Sequence, residues 1–366
     1  MTLETLRLFH FRNFGEVEIG FENRSAVVWG PNGRGKTNLL ESIFVLGTTR
    51  SHRTRRDGEL VRFGAAGFAL SALFRADDGR ASRVSLTYEE KTGKKASVDG
   101  KEAERLSSLV GRTPVVLVSP EDAEITRGEP ERRRYFLDLT LCTTSELYLR
   151  TLQKYNRAHK QRGRVLREEK GADIGRLLDP WDRQLAEAGV PLASLRRAAI
   201  DELSPVAEDV YGELGGGETL SIRYAPGSGE EAASEKEFAA ALRKRRAHDI
   251  RTGRTSVGPH RDDVELLLDG RPLRNYGSRG QHRTAVLALK IAAGRTMKKK
   301  LGEEPIVLLD DVFTELDEKR SLSLAGHLRK EGQLVVTGTD GEELCRFFPD
   351  ANRFSLAGAG RLKREG

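Results

Sequence analysis

The hydrophobic pattern of the chain changes its period near residue 119. Before that point, short apolar runs recur between polar turns, the pattern of strands. Residues 6–9, 17–21 and 26–29 predict three strands, and residues 68–75 and 83–88 alternate apolar and polar as half-buried strands do. Ser97-Val98-Asp99-Gly100-Lys101 carries the Asp-Gly signal of a tight hairpin. Pro114-Val115-Val116-Leu117-Val118 is apolar throughout, which predicts a strand covered on both faces. From Ser119 the spacing turns helical. Residues 131–169 read as one long helical pattern, with Phe136, Leu139, Leu147, Leu152 and Tyr155 as core contacts and Gly163 as a point of interruption. Residues 180–214 predict one or two further helices, punctuated by Pro191 and Pro205. Residues 215–236 are rich in Gly, Ser and Glu and read as exposed loop, with a strand-like pattern at 219–224.

Strand periodicity returns at 263–268, followed by a second Asp-Gly hairpin signal at Asp269-Gly270. Ser278-Arg279-Gly280-Gln281 then precedes residues 282–293, a helix with small and apolar residues on most faces. A hydroxyl, free N–H groups and a positive helix end suit an anion there, and an ordinary N-cap has the same sequence. Pro305-Ile306-Val307-Leu308-Leu309 predicts a buried parallel strand ending in Asp310 and Asp311, and residues 333–337 another core strand before Gly338-Thr339-Asp340. No internal repeat is visible. The expected organisation is an α/β, two-lobed protein. Residues 1–118 and 302–366 form a lobe with a mixed or antiparallel β part, and residues 119–301 form a largely helical second lobe.

One motif gives the first lobe a chemistry. Gly30-Pro31-Asn32-Gly33-Arg34-Gly35-Lys36-Thr37 satisfies G-x-x-x-x-G-K-[ST], with an apolar strand before it and an apolar helix, opening with Asn38, after it. Glycines let backbone N–H groups turn inward, the helix N-terminus adds partial positive charge, Lys36 reaches the β- and γ-phosphates, and the Thr37 hydroxyl is placed to ligate Mg²⁺. Asp310, at the end of an apolar strand, is the expected second Mg²⁺ ligand, and Asp311 the group that orients or deprotonates an attacking water. ATP and Mg²⁺ are the cofactors these residues call for.

Composition narrows the setting. No apolar run among the 366 residues is long enough to cross a bilayer, and the N-terminus has neither the basic start nor the apolar stretch of a signal peptide. Cys142 and Cys345 lack metal-ligand spacing and read as buried apolar residues in a reducing compartment, so the cytoplasm is expected. The net charge of +7 is concentrated. Residues 131–170 carry eleven Lys/Arg against five acids, and residues 242–261 seven against one, which leaves the rest of the chain at about −5. Two basic patches suit a nucleic-acid footprint, although one patch alone is equally a solvated helix face.

The order of phosphate loop, long insertion, Ser-x-Gly-Gln and strand-Asp-Asp resembles the ABC-type ATPase heads of the SMC group. The detail resembles most the RecF family of bacterial DNA replication and repair proteins. The carrying stretches include Leu8-Phe9-His10-Phe11-Arg12-Asn13-Phe14, Ser51-His52-Arg53, Ser119-Pro120-Glu121-Asp122, Arg132-Arg133-Arg134-Tyr135-Phe136-Leu137-Asp138, Gly258-Pro259-His260-Arg261-Asp262-Asp263 and Leu308-Leu309-Asp310-Asp311-Val312-Phe313. The resemblance implies a two-lobed head with a short helical arm. It implies a homodimer formed on ATP, in which each phosphate loop faces the other subunit's Ser278, Gly280 and Gln281, with Arg12 and Asn13 near the nucleotide. Thr314-Glu315-Leu316-Asp317 corresponds to the D-loop. Asp311 stands where ABC heads have Glu, which implies slower hydrolysis, and no His follows the last core strand. The implied role is ATP-dependent binding of gapped or junction DNA, single-stranded next to double-stranded, and help to RecO and RecR in loading RecA during recombinational repair. A transporter ATPase shares this chemistry, but its signature lies nearer the phosphate loop than the 242 residues separating Lys36 from Ser278. A nucleotide-regulated scaffold with negligible turnover is the alternative from another class.

Overall fold

The computed structural model describes residues 1–169, 173–215, 217–227, 234–315, 318–358 and 360–365. The chain forms two compact units, Met1–Asp122 with Leu287–Gly366, and Ala123–Val286.

The first unit opens with β1 (Thr2–Phe9), β2 (Glu16–Gly20) and β3 (Ser25–Trp29), then α1 (Lys36–Thr48). β4 (Gly67–Arg75), β5 (Ala81–Glu89), β6 (Gly93–Val98), β7 (Lys101–Glu102) and β8 (Val115–Val118) follow. β2-β1-β4-β5-β6-β7 make an antiparallel sheet. Asp99 and Gly100, both at positive φ (51° and 79°), form the tight turn into β7, the conformation an Asp-Gly pair tolerates best.

The second unit contains α2 (Ala123–Arg127), α3 (Pro130–Thr144), α4 (Glu146–Glu168), α5 (Ile174–Glu213), β9 (Leu220–Ala225) and α6 (Glu235–Thr252). A three-stranded sheet β11-β10-β9 is completed by β10 (Asp263–Leu268) and β11 (Arg271–Pro272), before α7 (Leu273–Tyr276). The helical pattern of 131–169 breaks at Ser145, not at Gly163. Ser145 leaves helical geometry (φ −146°, ψ 111°) and its hydroxyl accepts the Tyr148 N–H as an N-cap, whereas Gly163 sits within α4. Leu147 is two-thirds exposed rather than core, because the new helix start rotates it outward while Tyr148 and Tyr155 are buried. Pro191 and Pro205 do not end a helix. α5 runs unbroken for 40 residues through three prolines, and its packed apolar face offsets the lost backbone bonds. Residues 216 and 228–233 of the Gly/Ser/Glu-rich stretch lie outside the described residues. Cys142 and Cys345 are outside any disulfide and of intermediate exposure, not buried.

α8 (Arg279–Leu301) returns the chain to the first unit, which closes with β12 (Ile306–Leu309), α9 (Glu318–Leu328), β13 (Leu334–Gly338), α10 (Gly341–Phe347), β14 (Asn352–Gly358) and β15 (Arg361–Glu365). The boundary falls at Leu287, fifteen residues before the expected one, because the C-terminal part of α8 serves the first unit: Lys290 bonds the Leu117 carbonyl at 2.7 Å and pairs with Asp122. A continuous helix offers no sequence punctuation at such a boundary.

The second sheet of the first unit has the order β15-β14-β3-β13-β12-β8, parallel except for β15. Every residue of β8, β12 and β13 is buried, which is why these segments read as continuous apolar runs. The buried Gln333 side chain continues β1 like a backbone rung, accepting the Leu3 N–H (2.6 Å) and donating to the Leu3 carbonyl (3.0 Å). The strand order decides the chemistry: β13 lies between β3 and β12, so the carboxyl ends of three neighbouring parallel strands converge, where open α/β sheets place ligands.

Candidate functional site: a nucleotide cradle at three strand ends

Between β3 and α1 the chain makes the predicted loop. Gly30, Gly33 and Gly35 take positive φ (155°, 77° and 112°). A Cβ at Gly30 would strike the Leu356 carbonyl, and one at Gly35 the Asn13 amide. Glycine is favoured by conformation at all three positions and required by space at Gly30 and Gly35. Lys36 is buried, and its ammonium curls into the loop, donating to the Gly30 carbonyl (2.9 Å) and to Asn32 Oδ1 (3.3 Å). These are weak substitutes for the phosphate oxygens such a lysine reaches.

Thr37 Oγ1 donates to Asp310 Oδ2 at 2.8 Å, joining the start of α1 to the end of β12. The other oxygen of Asp310 accepts from Thr337 Oγ1 on β13 at 2.7 Å. Burial pushes the Asp310 carboxyl up, against the opposing pull of these two hydroxyls. Asp311 takes a left-handed backbone (φ 51°), its N–H donates to Thr337 Oγ1 at 3.1 Å, and its Oδ1 lies 3.9 Å from Lys36 Nζ. That Oδ1 is buried without a hydrogen-bond partner. A hydroxyl from the start of α1 and a carboxylate from the end of β12 are a hard-oxygen donor set of the kind Mg²⁺ takes alongside substrate phosphates and water. The cradle and the donor set therefore fit ATP and Mg²⁺.

Arg12 and Asn13 reach the loop by different routes. Asn13 donates to the Arg34 carbonyl (2.9 Å) and accepts from Asn38 (2.8 Å), so it lies directly on the phosphate loop. Arg12 instead makes a two-pronged pair with Glu41 of α1, at 2.8 and 2.7 Å. Glu41 is fully buried and also accepts from Ser51 Oγ at 2.5 Å. Burial opposes its charge, but the bonds from Arg12 and Ser51 outweigh it and hold the carboxyl below its usual range. Arg53 adds a bond to Asn38 (2.9 Å), which closes a ring around the base of the loop.

Two of these groups were missed in the sequence. Thr337 had a signal, a lone hydroxyl at the end of an apolar strand; Glu41 had a stronger one, a carboxylate inside an otherwise apolar helix. His52 is buried against Phe44 with neither ring nitrogen hydrogen-bonded, and burial lowers its pKa. His260 is structural: its Nε2 faces the Thr255 carbonyl (3.0 Å), which can only accept, so Nε2 carries the proton and Nδ1 takes the Tyr155 hydroxyl (2.6 Å).

Ser278, Gly280 and Gln281 belong to the second unit. Ser278 Oγ accepts the Gln281 N–H (3.2 Å) and Gln281 Oε1 accepts the Ser278 N–H (2.7 Å), a reciprocal capping box at the start of α8. Gln281 also donates to Glu218. Arg133 of the Arg132-Arg133-Arg134 run is buried against Asp263 (2.7 and 2.9 Å), the acid that offsets cations at a helix start. Of the expected D-loop, Leu316 and Asp317 lie outside the described residues. In the stretch without a sensor His, Asp340 caps α10 by accepting from Glu342 and Glu343 N–H groups.

Known proteins share this fold. The family model of the RecF/RecN/SMC N-terminal domain matches residues 2–346. The chain is 39% identical over 99% of its length to the DNA replication and repair protein RecF of Symbiobacterium thermophilum, covering 98% of it. It is 34% identical over 97% of its length to that of Agathobacter rectalis, covering 96%. Among solved structures, the recombination mediator protein RecF with ATP, in the RecFOR pathway, superposes with a TM-score of 0.89 at 30% identity over 100% of this chain and 97% of that one. The SMC head of Pyrococcus furiosus, bound to the C-terminal domain of ScpA, gives 0.57 at 17% identity over 99% of this chain and 95% of that one, a likeness of fold.

Proposed function

The chain belongs to the RecF family of DNA replication and repair proteins, and from that premise we propose that it is an ATP-dependent DNA-binding protein that closes as a dimer on gapped or junction DNA. The observation that carries the ATP half is the Thr37–Asp310–Thr337 bridge, which joins the start of α1 to the ends of β12 and β13, beside a loop where Gly30 and Gly35 leave no room for a side chain. Thr37 and Asp310 would hold Mg²⁺, which supplies charge neutralisation to the β- and γ-phosphates when bound. Lys36 gives up its carbonyl for phosphate oxygens. Asp311 offers the partnerless oxygen that an attacking water needs. Its side chain is one methylene shorter than glutamate, which supports slow hydrolysis and a timed switch rather than a motor.

The Ser278 capping box supports the second half of the site. In the dimer, the turn of one copy would face the γ-phosphate held by the other, and hydrolysis would remove contacts that exist only in the closed state. On gaps, the closed dimer would work with RecO and RecR to help load RecA, in the cytoplasm. Among the described residues no helix is long and apolar enough to cross a membrane.

Mass measurement by light scattering, with a non-hydrolysable ATP analogue and Mg²⁺, tests the reading. The unaltered chain should double its mass. Ser278→Arg should stay single yet still bind ATP, and Lys36→Arg should bind but release no phosphate. A Ser278→Arg protein that dimerises normally would rule out the sandwich. Phosphate release unchanged by gapped duplex would leave a scaffold in place of a DNA-stimulated ATPase.

A further inference from the structure

α4 carries its charge in a pattern that packing does not require. Between Leu147 and Arg167 there are seven Lys/Arg and no Asp or Glu. One of them, Arg162, points inward and is fully buried. The other six, Arg150, Lys154, Arg157, Lys160, Arg164 and Arg167, are all exposed. They follow one another at steps of four, three, three, four and three residues. At about 100° per residue this keeps them within about 140° of arc, opposite the face that buries Tyr148, Tyr155 and Leu166. The stripe is about 25 Å long at 1.5 Å per residue. Its two ends are tempered by acids, Glu146 on Arg150 (2.5 Å) and Glu168 on Arg164 (2.6 Å). Lys154, Arg157 and Lys160 in the middle have no acid on α4 at i±3 or i±4.

Six like charges on one helix face repel one another at a few tenths of a kcal/mol per neighbouring pair. The buried acids of the second unit are taken up elsewhere, Asp182 and Asp249 by Arg162 and Asp138 by Arg196. The stripe also continues beyond its own helix. Arg167 shares a cleft of about 490 Å³ with Arg251 of α6, lined also by Leu166, Ile250 and one acid, Glu169. Exposed Arg243, Lys244 and Arg245 stand on the same helix as Arg251.

We propose that this α4 ridge, continued through Arg251, is the surface that tracks the sugar-phosphate backbone of duplex DNA. The inference rests on the DNA-binding reading above and assigns it a place. A straight ridge of about 25 Å spans roughly seven base pairs at 3.4 Å each. Lysines and arginines without base-reading partners hold a backbone without reading sequence. The ridge therefore supplies duplex affinity, and it leaves gap selection to the rest of the molecule.

The test is the triple variant Lys154→Gln, Arg157→Gln, Lys160→Gln in the full chain, titrated with a blunt duplex from 50 to 200 mM salt. A second variant, Lys91→Gln, Lys101→Gln, Arg105→Gln, removes the same charge from exposed positions of the first unit. The slope of log affinity against log salt should flatten by about 2 to 3 in the ridge variant, at roughly 0.9 per lost phosphate contact. Duplex affinity at 50 mM salt should fall at least tenfold, with heat stability equal to the parent's or slightly higher as the repulsion is relieved, DNA-free phosphate release unchanged and the control variant close to the parent. An unchanged slope in the ridge variant overturns the proposal while leaving the proposed function intact, as does an equal loss in the control. Loss of a protein partner with duplex binding kept would make the ridge a protein-docking face instead. A parent that binds no DNA at any salt defeats this inference and the functional reading together.

Discussion

Both units bury charge, but they complete it differently. In the second unit Arg162 is enclosed by Asp182 (2.6 Å), Asp249 (2.8 Å) and the Thr255 hydroxyl (2.8 Å), and Arg246 holds Asp182 from the other side; Arg162 Nη2 and Arg246 Nε stay without a hydrogen bond, but each cation has its carboxylate. Arg196 is matched by Asp138, the Tyr148 hydroxyl and the Pro259 carbonyl. In the first unit Lys36 makes do with a carbonyl and an amide oxygen, Asp311 keeps a buried oxygen without a partner, and the hydrogen bonds to Asp310 come from two hydroxyls rather than a cation. Burial and charge alone do not mark a site. What marks it is a cation with no carboxylate within hydrogen-bond reach beside carboxylates with no cation, because a ligand and its metal supply those opposite charges.

The comparison breaks most clearly at its two central cations. Lys36→Ala should reduce ATP turnover by at least a hundredfold, in line with the loss of a preorganised charge at the reacting phosphates, and leave the unfolding midpoint nearly unmoved. Arg162→Ala should do the reverse. It leaves Asp249 without a cation and Asp182 with Arg246 alone, and removal of one partner from a buried network costs about 3 to 5 kcal/mol, read as a lower urea midpoint. A stable Arg162→Ala protein, or a Lys36→Ala protein that unfolds, would show that closed and open networks are not distinguished by function.

Acid should test the second unit next. His260 lies among Tyr155, His159 and the Thr255 carbonyl, and its pKa is pushed down to about 3, chiefly by burial and then by His159. A group held neutral in the fold gives stability that is whole above the unfolded value near 6.5 and is lost as pH falls toward about 3. Unfolding midpoints between pH 7 and 4 should therefore fall, and His260→Gln should flatten that fall even if it lowers the plateau. An unaltered pH slope in the variant would remove His260 from the account.

How much of this was readable beforehand depends on whether a feature is local. The strands of the first unit, the phosphate loop and Asp310 declare themselves through runs of a few residues, and the structure places Lys36, Thr37, Asn13, Asn38, Asp310 and Asp311 around one cradle. The break at Ser145 was hidden because a capping serine between two helices of similar period looks like one more polar position. The run of α5 through Pro180, Pro191 and Pro205 depends on neighbours far away in sequence. The basic count of residues 131–170 misled in part: Arg133 and Arg162 are spent inside the fold, and only side-chain direction separates them from the six on the α4 ridge. Thr337 went unnoticed because its role comes from strand order, β13 lying between β3 and β12, which no local pattern encodes.

Two threonines give the smallest and sharpest test. Thr337 and Thr255 are both buried, and each serves a buried charge through its hydroxyl, Thr337 by donating to Asp310 and Thr255 by accepting from Arg162. Valine keeps the shape of either and deletes the hydroxyl. Each loss costs about 1 to 2 kcal/mol of stability, since a partner is left unmet in a dry site. The two should differ only in turnover. Thr337→Val frees the Asp310 carboxylate from one side and leaves the Asp311 N–H without its acceptor, so phosphate release should fall roughly tenfold, equivalent to about 1.4 kcal/mol, while ATP affinity changes little. Thr337→Ser should restore it. Thr255→Val relaxes a closed network and should leave phosphate release within twofold of the parent. Equal turnover in the two valine variants would mean that the third strand end holds the fold together and contributes nothing to the chemistry.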